Sequence, residues 1–160
     1  MKDPRILQFA TKYQVSFLGY LGTGQGQDGV VLDTDLYTAV KFFDSAARFN
    51  RELEVYLPLR ELGIRQIGGH WVPLFIRSDE ELKTIEMSIV DRPFVLDFAG
   101  AKQEYEVPDF EEHVMEEHYA HLRQLFDDRW TDALHVAEAF RQLTGFVLLD
   151  IHPGNIAFAD

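Results

Sequence analysis

The apolar residues of this chain change their spacing near residue 95, and that change limits the folds open to it. Before it, β-branched and aromatic runs predict five strands, at Tyr13–Leu21, Gly29–Asp33, Tyr37–Phe43, His70–Arg77 and Thr84–Val90. Thr34-Asp35 turns the second strand into the third, and Ser78–Glu81 turns the fourth into the fifth. One helix interrupts them. Asp44 or Ser45 caps it, Phe49, Leu53, Tyr56 and Leu57 form its buried stripe, Pro58 kinks or ends it, and Gly63 closes the region. After Asp91-Arg92-Pro93 the pattern is helical. Asp109 with Glu112 reads as a capping box before a helix whose apolar stripe is Phe110, Val114, Leu122, Leu125 and Phe126. A second helix runs from Thr131 to Leu143 and stops near Gly145, and short buried strands at Phe146–Leu149 and Ile156–Ala159 flank a polar loop. The class is therefore α+β: an antiparallel five-stranded sheet with one helix over residues 1–92, then a mainly helical part over 93–160.

Charge narrows the partners. Against 15 basic residues stand 27 acidic ones, a net charge of -12, which repels phosphate backbones and anionic lipid. Neither nucleic acid nor a membrane surface is expected to bind. The chain has no cysteine, so it has no disulfide framework and no thiolate zinc site, which fits a cytoplasmic setting. Met1–Leu7 mixes charge with proline and does not read as a signal peptide, and no apolar run nears the roughly 20 residues of a membrane span.

Three short stretches carry chemistry. Gly24-Gln25-Gly26-Gln27-Asp28-Gly29-Val30-Val31 lies between two predicted strands. Glycines there let backbone N–H groups approach phosphates that side chains would hold off. A dinucleotide-binding glycine pattern would open a helix instead. In Ala39-Val40-Lys41, strand alternation places Lys41 on the face opposite Val40 and Phe42. In Asp150-Ile151-His152-Pro153-Gly154-Asn155, a carboxylate and an amide oxygen sit five positions apart in one loop.

In this order the three stretches resemble the protein-kinase-like superfamily: G-x-G-x-x-G-x-V, a strand lysine, then D-x-x-x-x-N. His152 stands where protein kinases carry lysine, and Leu148 replaces their usual histidine. The D-x-H-P-x-N form is closer to aminoglycoside-phosphotransferase-like and other atypical kinases. The resemblance implies ATP and Mg²⁺ as cofactors, with Gly24, Gly26, Gly29 and Val31 over the nucleotide. It implies that Lys41 binds phosphates and pairs with Glu52, or failing that Glu54, of the next helix. Met87-Ser88-Ile89-Val90 resembles the hinge whose backbone meets adenine, so Met87 and Ile89 join the nucleotide-binding set. Asp150 would orient an acceptor hydroxyl and Asn155 would bind Mg²⁺. Replacing Lys41 by Met is expected to weaken ATP binding and leave the fold intact, as for an ordinary strand-face lysine.

The resemblance runs from about Phe17 to the end, where the family's D-F-G aspartate is missing: the chain stops at Asp160, five positions past Asn155. A minimal kinase-like protein, a pseudokinase and a truncated chain remain open. The acceptor is an unknown protein or small molecule. A third function class, a non-nucleotide interaction protein using its acidic helical hairpin, also stands. His113, Glu117 and His121 share one helix face, and a solvated acidic face accounts for them better than a metal site.

Overall fold

The computed structural model describes residues 3–23 and 29–160. Gly24 and Gly26 lie outside the described residues. The chain begins with a helix, α1 (Pro4–Tyr13), followed by strands β1 (Phe17–Thr23), β2 (Val30–Thr34) and β3 (Thr38–Phe42). Helix α2 (Ala46–Glu61) comes next, then β4 (Gln66–Ile67), β5 (His70–Trp71), β6 (Phe75–Asp79) and β7 (Thr84–Ser88). The remaining elements are β8 (Phe94–Val95), β9 (Ala101–Gln103), α3 (Glu112–Phe126), α4 (Trp130–Thr144), β10 (Phe146–Leu148) and β11 (Ile156–Ala157). The fold is α+β. Its main sheet is antiparallel and five-stranded, in the order β1-β2-β3-β7-β6.

That sheet is covered on both faces. Val40 and Phe42 of β3 join Phe9 of α1 and Leu32 of β2 in a small core on one side. Ala39 and Phe43 face α2 and a larger core that runs on through Phe98, Phe140 and Ile151. This burial on both faces leaves Lys41 as the one charged residue of β3, which otherwise runs Thr38, Ala39, Val40 and Phe42.

Helix α1 was not expected; Tyr13, read as the start of a strand, is its last residue. The local cause is plain. The Asp3 side chain accepts from the Arg5 backbone N–H, and Pro4 occupies the first turn, where its missing N–H costs nothing. The amphipathic helix then seals the sheet: Phe9 is fully buried against Tyr13, Phe17 and Phe42, and Arg5 donates to the carbonyls of Phe43 (2.7 Å) and Leu82 (3.1 Å). Two helices, rather than one, therefore accompany the sheet.

The fourth expected strand also divides. Pro73 cannot donate a ladder hydrogen bond. His70–Trp71 instead pairs with Gln66–Ile67 across Gly68-Gly69, whose φ angles of 56° and 79° suit a tight hairpin turn. Phe75–Asp79 alone pairs with β7, and the turn falls two residues later than expected, ending at Lys83 in the left-handed region. Pro58 lies inside α2 without ending it. Before α3 there is no capping box: Glu111 is the N-cap and makes no side-chain cap bond, and Phe110 and Val114 are exposed. The reciprocal cap forms earlier, between Gln103 and Glu106.

Candidate functional site

Lys41 is the buried charge around which the site is built. Its side chain shares a face with Ala39 and Phe43 and is 5% exposed. Phe43-Asp44 ends the strand, and the Ser45 hydroxyl accepts from the Arg48 N–H to start α2. This short connection brings α2 back over the strand that precedes it. Glu52, 1% exposed, then meets the lysine, with Oε2 2.8 Å from Lys41 Nζ. Asp97 meets it from another direction, with Oδ1 at 2.7 Å. The Phe43 ring centroid lies 5.0 Å from the ammonium.

Burial alone would pull the lysine pKa down, but Glu52 first and then Asp97 outweigh it, so Lys41 is held protonated above the ordinary lysine range. Burial and the same two carboxylates push the Tyr56 hydroxyl up, and it stays protonated and donates to Met87 Sδ. This setting corrects the expectation that Lys41→Met would be harmless. Removing the ammonium breaks its pair with a fully buried glutamate, which costs roughly 3–5 kcal/mol for a buried pair.

Val31 stands directly opposite Lys41 in the β2–β3 ladder, and Ile85 opposite it on β7, so both flank the lysine on its own face. Met87 is two residues along on the same face, opposite Ala39, and is buried against Tyr56; Ile89 lies past the end of β7 and is exposed. Gly29 has φ 103°, and a Cβ there would stand 1.7 Å from the Phe42 carbonyl oxygen. Its glycine requirement is thus met by close approach to β3.

The Asp150–Asn155 loop is tied down by its own members. Asn155 Nδ2 donates to the Asp150 carbonyl at 2.8 Å, and the Asn155 N–H donates to the His152 carbonyl at 2.9 Å. His152 Nδ1 accepts from the Gly154 N–H at 3.0 Å, which places the ring proton on Nε2, 3.7 Å from Asp150 Oδ2. Asn155 is buried, whereas the Asp150 side chain is exposed.

Sequence reasoning passed over Asp97, in the span taken as a boundary. Here β8 pairs with β11, Val95 opposite Ile156, and the Leu96 N–H donates to the Asn155 carbonyl at 2.9 Å. The next residue, Asp97, takes φ 66° and turns its carboxylate to Lys41. Phe98 is wholly buried, stacked on Phe140 at 5.2 Å and edge-on to Tyr56 at 5.3 Å, which fixes the turn. A Cβ on Gly100 would lie 3.6 Å from Asp150 Cβ, so the far end of the turn lies against the polar loop. Asp97 therefore links the lysine to the Asp150–Asn155 loop. Its only sequence signal was an aspartate closing the apolar run Phe94–Leu96.

One surface depression lies elsewhere, lined by Gln8, Lys12, Glu81 and Leu82; a second, lined by Arg92, Arg129 and Phe158 among others, borders the polar loop at Pro153 and Ile156. Among the described residues no group of three or more His, Cys, Asp or Glu side chains could hold a metal ion, and His113, Glu117 and His121 are exposed. No helix among the described residues is long and apolar enough to cross a membrane.

The chain matches no family model, no curated protein and no solved structure.

Proposed function

We propose that this protein is a kinase-like phosphotransferase that moves the γ-phosphoryl group of ATP to a hydroxyl on a protein or small molecule. The observation that carries the reading is the buried pair of Lys41 and Glu52, a strand lysine held by the helix that follows it. The strand order β1-β2-β3-β7-β6 around it supports the same reading. In this view residues 1–92 form the nucleotide-binding part and 93–160 a partial second lobe. The Gly24–Gly29 loop covers the phosphates, Lys41 orients them, and the backbone from Met87 to Ile89 meets the adenine edge. Asp150, exposed and beside His152, orients the acceptor hydroxyl and takes its proton as the new O–P bond forms and the bond to the leaving diphosphate breaks. Mg²⁺, when bound, neutralises charge on the phosphates, with Asn155 as a ligand.

Nucleotide binding is read from the thermal shift with ATP, with and without Mg²⁺. Wild type should be stabilised by ATP with Mg²⁺, and the paired variant Lys41→Met/Glu52→Gln, which removes both charges of the buried pair together, should not. An equal shift in both proteins would remove Lys41 from the site. Phosphate release from labelled ATP, lost in Asp150→Asn, then tests transfer.

A second reading is a pseudokinase, which binds nucleotide or serves as a scaffold without transfer. It is favoured by Asp160, whose side chain is 97% exposed and pairs with Arg92 at 3.4 Å rather than entering the site. Nucleotide-dependent stabilisation without phosphate release would select it.

A further inference from the structure

We propose that the depression lined by Arg92 and Arg129 is a binding site for a small anion with an apolar part, and that it holds the anionic end of the acceptor. The second half of this inference rests on the phosphotransferase reading above; the first half does not.

The walls carry the chemistry. The depression holds about 230 Å³, below the roughly 300–1,000 Å³ of a drug-sized site, so it suits a compact group rather than a folded partner. Leu125, Phe126 and Phe158 give it an apolar side. The Phe158 ring is held edge-on to Phe126, at 6.2 Å, and to the buried His70, at 4.9 Å. Over that ring lies the Arg129 guanidinium, 4.1 Å from the centroid, so the aromatic face positions the charge.

Both guanidiniums keep donors in reserve. Arg129 engages Nε alone, 3.5 Å from Asp132 Oδ2, and its terminal nitrogens meet no acceptor among the described residues. Arg92 uses Nη1, which donates to Asp160 Oδ1 at 3.4 Å. That pair is long and made by exposed side chains, so it contributes little and yields readily to another anion. Asp160 is also the only carboxylate lining the depression, and it goes to Arg92. Two positive charges lining one depression repel each other, and an anion between them relieves the repulsion. A guanidinium fork takes a carboxylate or a phosphate through two parallel bonds. On a chain of net charge -12, this is a local exception that would draw an anion the rest of the surface turns away.

Placement supplies the link to the acceptor. Pro153 belongs both to this lining and to the Asp150–Asn155 loop, and Ile156 follows the loop directly. Three residues of chain span at most about 11 Å, which bounds the distance from Asp150 to Pro153. A small molecule anchored here by its anion can therefore bring a hydroxyl to the loop. The acceptor class that follows is a small alcohol bearing a carboxylate or phosphate beside an apolar portion.

The test uses the whole chain, isotope-labelled and followed by NMR as a probe is added. The probes are para-(hydroxymethyl)benzoate, para-(hydroxymethyl)phenyl phosphate and the neutral para-methylbenzyl alcohol. The Nε–H signals of Arg92 and Arg129 and the Gly154 amide should move with the anions and not with the neutral alcohol, and the tighter anion identifies the group. Arg92→Gln and Arg129→Gln should each weaken anion binding by roughly 10-fold, the scale of charge-assisted bonds. Asp160→Asn should tighten it by roughly 2–5-fold, because an exposed competing pair is gone. Both arginine side chains are about half exposed, so these variants should keep the thermal midpoint of wild type. Failure of both anions to bind, equal binding of the neutral alcohol, or affinities unchanged in both glutamine variants overturns the site. Arginine shifts without a Gly154 shift overturn the link to the acceptor and leave an anion site alone. No readout here needs ATP, so the nucleotide reading is judged separately by its thermal shift.

Discussion

A lysine that is 5% exposed on a strand cannot be treated as a surface charge. Lys41→Met alone should lower stability by roughly 3–5 kcal/mol, because the buried Glu52 loses the ammonium that faces it. Adding Glu52→Gln should recover most of that loss, and urea denaturation of both variants checks it. Recovery by the second substitution separates a stranded charge from simple loss of packing. At this scale the sequence was informative where a contact is local in the chain. Lys41 and Glu52 were readable because a short turn joins their strand and helix, so proximity in the chain became proximity in space. Asp97 was not, because its partner lies on β3, and nothing local marks a contact made across the fold.

Among the elements, β2, β3 and α4 follow their apolar patterns to within a residue or two, since each buries a periodic face. The ends went less well. Phe110 and Val114 have helical spacing but reach no neighbour that covers them. Helix α1 carried an N-terminal signal in Asp3-Pro4 that only its docking makes decisive. That docking depends on Asp79, whose Oδ2 accepts from Lys12 Nζ at 2.6 Å and Tyr13 Oη at 2.8 Å. Burial would raise its pKa, but the bonds from Lys12, the Leu82 N–H and Tyr13 win and hold it below the ordinary 3.8. A carboxylate depressed in the folded state stabilises fully above its unfolded value. The contribution is lost as pH falls below 3.8 through the lower folded value. Hydrogen exchange of the α1 amides should therefore quicken in that acid range before the rest of the chain responds. Asp79→Asn should bring the same loosening to neutral pH, at a cost of about 1.5–3 kcal/mol for bonds to a charged group. Acid exchange that is uniform across the chain would show that α1 is held by its apolar face alone.

For the whole molecule, the change of period near residue 95 separates sheet from helices in sequence but does not separate their cores. Tyr56 of α2, Phe98 and Phe140 of α4 form one aromatic column inside a single cluster. Phe140→Ala should cost roughly 3–5 kcal/mol. Thermal unfolding followed by tryptophan fluorescence, from Trp71 and Trp130, and by far-ultraviolet circular dichroism should remain one coincident transition, with its midpoint lowered. Two separated transitions would mean that the column does not couple the parts. The column also bears on how such a molecule can accommodate a guest. With its joint filled by stacked rings, one half cannot swing against the other as a jaw would. A ligand bound to such a frame would be met by side chains and turns at its surface, not by closure of one part on the other.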